Sequence, residues 1–222
     1  MWRIESTLDD ARSPYDRRAA MYDRLVRSRL YNRIAWSTSP EDYSNFAAEA
    51  FASAEGPLLE VAVGSAAATA SLHARSRRTT MLIDLSRAML ERAGRNIAAA
   101  AGGSAHVFSR IRLVQADLRA LPPPDEPFTT VLGLGLTHLF EDLPALVRTL
   151  QAQLAPDGWL YLSGLVAETI RGRRYLDLLH RAGEVTAPKS AAELRDELHL
   201  AEHFNTVGCM AYVTIGAAVE VQ

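Results

Sequence analysis

From Pro57 onward the chain alternates short apolar runs with longer stretches in which apolar residues recur every three or four positions. The first pattern suits strands buried on both faces, the second helices packed along one stripe. Leu58–Val63 predicts a first strand followed by a helix to about Arg75, and Thr79–Asp84 predicts a second strand. Ser86 is placed to cap a helix to about Ala100, whose inner stripe is Met89, Leu90, Ala93 and Ile97. Ile111–Ala116 and Thr129–Leu134 predict strands three and four, and Leu143–Leu154 a helix. Pro156-Asp157-Gly158 predicts a turn into a fifth strand, Trp159–Leu165. Two helices are expected next, about Glu168–Ala182 and Ser190–Ala201, the second opened by a capping box between Ser190 and Glu193. Two β-rich runs between Phe204 and Val221 predict an antiparallel hairpin at the sheet edge, with Gly208 and Gly216 both candidates for its turn.

Strands alternating with helices predict an α/β fold. The expected sheet is Rossmann-like and seven-stranded, mostly parallel, with helices on both faces, and it occupies residues 51–222. Residues 1–50 differ in texture. Tyr15-Asp16-Arg17, Tyr22-Asp23-Arg24 and Tyr31-Asn32-Arg33 recur, and Tyr22, Leu25, Val26, Leu30 and Ile34 can share one helical face. This predicts an N-terminal helical cap, or a lid whose Trp36 and Tyr43 help to close a pocket.

At 222 residues and 48% apolar, the chain can bury a full core. A formal net charge of −2 argues against a general electrostatic grip on nucleic acid. The single cysteine, Cys209, excludes an intramolecular disulfide and a cysteine-based zinc site, and its apolar surroundings predict a buried small hydrophobe. Residues 1–30 are studded with Arg and Asp, and the longest apolar runs are shorter than a membrane span. A soluble, cytoplasmic protein without a membrane partner is the expectation. His199 and His203 have helical i, i+4 spacing without the acidic partner of a zinc helix, so no metal is expected. Arg171, Arg173 and Arg174 read as a solvated helix face.

The chemistry concentrates after the first strand. Val61-Ala62-Val63-Gly64-Ser65-Ala66-Ala67-Ala68 is a run of small residues, the composition needed where backbone must approach a ligand closely. Asp84 lies 20 residues after Gly64 at a strand end, and Asp117 follows the third strand. Carboxylates at those places can accept ribose hydroxyls and an adenine amine in the crevice of a doubly wound sheet.

Glu60-Val61-Ala62-Val63-Gly64-Ser65-Ala66, Ile83-Asp84-Leu85-Ser86-Arg87-Ala88-Met89-Leu90, Gln115-Ala116-Asp117-Leu118, Phe128–Leu139 and Leu154-Ala155-Pro156-Asp157-Gly158-Trp159-Leu160 follow one another in order. Together they resemble the class I S-adenosylmethionine-dependent methyltransferases, in particular the small-molecule branch around ubiquinone and menaquinone C-methylation. The resemblance runs from about Leu58 to Leu165. It implies S-adenosylmethionine as cofactor and S-adenosylhomocysteine as product. It places Glu60, Ala62 and Gly64 in the cofactor loop, Asp84 at the ribose, and Leu85, Met89, Asp117 and Leu118 around adenine. Gly133 and Leu134 would line the methionine portion. The loop departs from the family pattern at Ala62 and Ala66, where that pattern has glycines.

His138 falls where small-molecule methyltransferases often carry a histidine near the acceptor. It is either a proton acceptor there or a structural residue bonded to backbone. The expected acceptor pocket is lined by Trp36, Tyr43 and His138, and its aromatic character suits a small, fairly hydrophobic substrate. The expected reaction is methyl transfer to an O, N or C atom of that substrate. The alternative is a protein of the same fold that binds and orients a reactive intermediate, in the manner of a cyclase or isomerase. A homodimer is compatible with the sequence.

Overall fold

The computed structural model describes residues 2–8 and 39–217. In chain order the regular elements are β1 (Ile4–Ser6), α1 (Pro40–Ala52), β2 (Leu58–Val61), α2 (Ala70–Arg75), β3 (Thr80–Asp84), α3 (Arg87–Ala100), β4 (Ile111–Gln115), β5 (Phe128–Gly133), α4 (Leu143–Gln151), β6 (Leu154–Leu165), α5 (Ile170–Arg181), α6 (Ala191–Glu197), β7 (His203–Val207) and β8 (Met210–Gly216). The strands form one sheet in the order β1-β4-β3-β2-β5-β6-β8-β7. Strands β1 to β6 pair in parallel, while β8 runs antiparallel to both β6 and β7. The expected Rossmann-like sheet is therefore present, with eight strands rather than seven.

The extra strand comes from the segment assigned to the helical cap. Ile4, Glu5 and Ser6 pair with Leu113, Val114 and Gln115 of β4. Just before it, the Trp2 indole lies over Gly94 of α3, where a Cβ would collide with the ring, and stacks at 5.2 Å from Phe108. Three residues with one apolar side chain give no period to read, so this strand escapes sequence analysis. Trp36 and the tyrosine-rich repeats lie outside the described residues.

Alternation along the strands sends side chains to two separate cores. One face carries Leu59, Val61, Ile83, Val131, Leu160, Leu162 and Val213, covered by Leu143, Leu146, Val147 and Leu150 of α4 and Leu194 of α6. The other face carries Leu82 and Leu113 under Leu90, Ala93 and Ile97 of α3. Further along that face, Leu132, Tyr161 and Tyr212 lie under Phe46 of α1. The helix caps read from sequence are in place. Ser86 accepts from the Met89 amide, and Ser190 and Glu193 form a reciprocal capping box.

Two elements differ from expectation. Pro156-Asp157-Gly158 lies inside β6, which begins at Leu154 and is irregular where Phe128 pairs with Leu154 and Thr130 with Trp159. The turn is absorbed as a bulge because Phe128 donates its amide to Gln153 and strand pairing resumes at once. The C-terminal hairpin turns at Gly208, φ 58°, with Val207 paired to Met210. A positive φ at the first residue of a two-residue turn matches the twist of the strands and decides between the two glycines.

Arg78, at the entry to β3, straps three elements together. Its guanidinium donates to the carbonyls of Ala50, Phe51, Gly56 and Pro57 and to the hydroxyls of Thr129 and Thr130, at 2.7–3.3 Å. Burial pushes its pKa below the usual arginine value. Methionine fills similar volume but leaves these acceptors without a donor, so Arg78→Met is expected to destabilise by about 2 kcal/mol. The midpoint of urea unfolding measures it, and an unchanged midpoint would show that solvent replaces the guanidinium.

Candidate active site

The chain winds outward through β2, β3 and β4, then resumes at β5 on the other side of β2. Val61 and Gly133 end these neighbouring strands in register. Loops leaving there diverge to opposite faces and open a crevice at the carboxyl ends of the strands.

After Val61 the loop visits the left-handed region three times, at Ala62 (φ 49°), Gly64 (φ 54°) and Ala66 (φ 54°). These are the three positions at which the family pattern has glycine. A Cβ on Gly64 would meet nothing within 4 Å, so the outer side of the loop is open. Each alanine costs about 1–2 kcal/mol in this conformation. Ala62→Gly is expected to stabilise by about 0.5–1 kcal/mol, because glycine's greater unfolded-state freedom offsets part of the relief. A lower denaturation midpoint for this variant would contradict the assignment of strain.

Side chains hold the loop against that strain. Glu60 is 2% exposed and has both oxygens engaged, Oε1 by the Thr69 hydroxyl at 3.0 Å and Oε2 by His73 Nε2 at 2.6 Å. Glu60 is thus a loop-organising carboxylate facing α2. His73 is 1% exposed and packs edge-on to Phe51, ring centroids 4.9 Å apart. His73 is not among the site residues that the sequence pattern singles out. His73 stands 13 residues after Glu60, beyond the strand and loop, and only its helical phase toward β2 could have revealed it. Asn96 of α3 adds a bond to the Ser65 carbonyl at 2.8 Å.

Asp84 ends β3 facing the loop. Its Oδ2 accepts from the Gly64 amide and its Oδ1 from the Ser86 amide, both at 2.8 Å. Each carboxylate oxygen can accept more than one hydrogen bond, so the carboxylate can still receive ligand hydroxyls. Leu85 beside it is 36% exposed, an apolar side chain at the crevice, with its carbonyl held by Gln115 Nε2. Met89 and Leu118, expected to flank adenine with it, are 3% and 9% exposed and belong to the packed interior. Asp117 caps the short helical turn Leu118–Ala120 and is gripped by Arg119, whose Nη2 lies 2.6 Å from Oδ2. The Arg119 guanidinium holds the Asp117 carboxyl below the usual carboxylate range.

On the opposite wall, a Cβ at Gly133 would point into Leu136, Leu162 and Val61, so this residue offers only backbone to a ligand. Leu134 is half-buried and packs in the cluster with Tyr43 and Phe46. Gly135 (φ 64°) donates its amide to the Ser163 hydroxyl, and a Cβ there would run into the Tyr43 hydroxyl and approach Cε1 of His138. Tyr43, Gly135 and His138 therefore meet at the mouth between β5 and β6. His138 Nδ1 accepts from the Leu165 amide at 3.1 Å, and its carbonyl accepts from both the amide and hydroxyl of Thr186. Desolvation of the half-buried ring pushes its pKa down to about 4. Among the described residues no cluster of His, Cys, Asp or Glu could hold a metal ion, and no helix is long and apolar enough to cross a membrane.

An open left-handed loop, a strand-end carboxylate holding two amides and an exposed leucine beside it fit an adenosyl ligand with a flexible amino-acid tail. Comparison with known proteins agrees. Residues 58–158 match the family model described as a methyltransferase domain. A malonyl-[acyl-carrier protein] O-methyltransferase of Halorhodospira halophila is 35% identical over 118 residues, which are 53% of this chain and 37% of that protein. The match thus spans little more than a third of that relative's length. Among solved structures, the complex of DhpI with SAH superposes with a TM-score of 0.62 at 21% identity, over 90% of this chain and 91% of that one. Geranyl diphosphate C-methyltransferase from Streptomyces coelicolor, bound to S-adenosyl-L-homocysteine, gives 0.65 at 11% identity, over 95% and 83%. The two structures share the fold. The chain thus has a Rossmann-like α/β methyltransferase fold, and its residues 58–158 are similar to a methyltransferase domain.

Proposed function

We propose that this domain transfers the methyl group of S-adenosylmethionine to an O, N or C atom of a small, fairly hydrophobic organic acceptor, with S-adenosylhomocysteine as product. The observation that carries the reading is Asp84, fixed by the Gly64 and Ser86 amides at the mouth of an open left-handed loop. When bound, the cofactor supplies an electrophilic methyl group and a neutral thioether leaving group. Asp84 would receive the ribose hydroxyls, and the backbone from Ala62 to Gly64 the amino-acid tail. Leu85 would cover adenine, with Asp117 near its amine and Met89 and Leu118 supporting from within. Gly133 and Leu134 would bound the tail from the β5 side.

The acceptor pocket lies between α1, the Thr137-His138 turn and the chain after β6. Tyr43 and His138 would line it; Trp36 lies outside the described residues. The ring cluster of Tyr43, Phe46, Tyr161 and Tyr212 supports an apolar acceptor. The relatives' names support organic acceptors, an acyl-carrier-bound malonyl group in one case and geranyl diphosphate in the other. Calorimetric titration with S-adenosylmethionine and S-adenosylhomocysteine is the test. Micromolar binding of both, followed by acceptor-dependent formation of S-adenosylhomocysteine, is the expected result. A folded protein that binds neither would remove the reading.

A further inference from the structure

The loop after β2 closes on one peptide plane, the one joining Ser65 to Ala66. Its N–H, on Ala66, donates to the Val63 carbonyl at 3.0 Å, and its carbonyl, on Ser65, accepts from Asn96 Nδ2 at 2.8 Å. The chain on either side is fixed by other bonds. Val63 donates to the Ile83 carbonyl and Gly64 to Asp84, while the Ala66 carbonyl accepts from the Thr69 and Ala70 amides at 3.2 and 2.8 Å. Turning the plane over changes only ψ of Ser65 and φ of Ala66, so both flanks can stay in place. It carries Ala66 from φ 54° to negative φ, into the extended region that alanine prefers. For glycine the two directions are nearly equal, but for alanine the observed one carries a penalty of about five- to thirtyfold in population. One hydrogen bond offsets about two- to tenfold. At the middle of these ranges the bond to Val63 alone falls short, and the bonds to Val63 and Asn96 together suffice.

We infer that Asn96 is a positioning residue for the cofactor. Its amide N–H holds the Ser65–Ala66 peptide in the direction that keeps the Val63–Ala66 turn closed, and so makes alanine workable where the family pattern has glycine. Asn96 acts through the turn, which presents the Gly64 amide to Asp84. Reversal of the plane would break the Val63–Ala66 bond and open the turn beside the backbone assigned to the amino-acid tail. What the loop binds rests on the methyl-transfer reading above; the direction of the peptide belongs to the protein without ligand. The residue that carries this role sits 31 positions after Ser65 on α3, outside the loop.

Asn96→Ala removes the donor and, because alanine is the better helix former, leaves α3 intact. In the ligand-free protein the carbon chemical shifts of Ala66, assigned by their loss in Ala66→Gly, separate positive from negative φ. Positive φ is expected in the wild type and negative φ in Asn96→Ala. Positive φ in both, or negative φ in the wild type, overturns the inference. Calorimetry with S-adenosylhomocysteine reads the consequence. Asn96→Ala should bind about tenfold more weakly than wild type, the size of the alanine penalty it uncovers. In the Ala66→Gly background the same substitution should cost less than about threefold, because glycine carries no such penalty. Asn96→Asp keeps the size but turns an acceptor towards the Ser65 carbonyl, so it should lose at least as much as Asn96→Ala. Equal losses in the two backgrounds would make Asn96 an ordinary packing residue and sink the proposal. A wild type that binds no S-adenosylhomocysteine would count against the cofactor reading, while the shifts of Ala66 decide the role of Asn96 without it.

Discussion

Glu60→Ala is expected to lower the unfolding free energy by about 2–4 kcal/mol, since each buried polar group left without its partner costs about 1–3 kcal/mol. The reason lies in what is left behind. His73, 1% exposed, would lose its bond at Nε2, and its Nδ1 already has no partner among the described residues. Thr69, fully buried, would lose its acceptor as well. A typical domain is stable by 5–15 kcal/mol, so the loss is a large fraction of the whole. Glu60→Gln keeps the volume and one acceptor oxygen, and a smaller loss of about 1–2 kcal/mol is expected. Equilibrium denaturation with a constant slope separates the two variants. Equal losses would mean that the cost is volume rather than hydrogen bonding.

The second large effect concerns the ligand. Asp84→Ala should weaken binding of S-adenosylhomocysteine about a hundredfold, or 2.7 kcal/mol. Two contributions of similar sign add. The Gly64 amide loses an ionised acceptor that fixes the left-handed loop, and the ribose hydroxyls lose theirs. Asp84→Asn keeps one acceptor oxygen and should fall between alanine and wild type. Calorimetry on variants with native circular dichroism measures this. Unchanged affinity in the alanine variant would move the nucleotide away from the end of β3.

Most of the architecture is legible because burial on both sheet faces writes continuous apolar runs, as in Leu58-Leu59 and Val131-Leu132, which local rules recognise. The inner stripe of α3 and its serine cap are equally local. The site is half legible. Asp84 and the small-residue loop could be placed by order and spacing, since the crevice position follows from the topology. What the side chains do there depends on partners that no sequence period marks. Glu60 turns to a histidine on the next helix, Asp117 to a neighbouring arginine, and His138 to the amide of Leu165, 27 residues later. None of these pairings has a period. The sequence marks Ala62 and Ala66 as departures from the glycine pattern, yet both alanines take the left-handed conformation, in a loop whose Gly64 amide is held by Asp84 and whose two flanks are joined by the Glu60–Thr69 bond.

The two outermost strands also bear on how copies of this chain can meet. β1 has three residues, with Glu5 paired to Arg112 at 2.6 Å, and β7 exposes His203, Asn205 and Thr206. Asn205 turns its side-chain oxygen onto the Thr206 amide at 2.8 Å. Short, charged or self-bonded borders resist edge-to-edge pairing. A homodimer of this protein would therefore be built through helices or loops, and its sheet would end at the subunit boundary instead of running on into the next molecule.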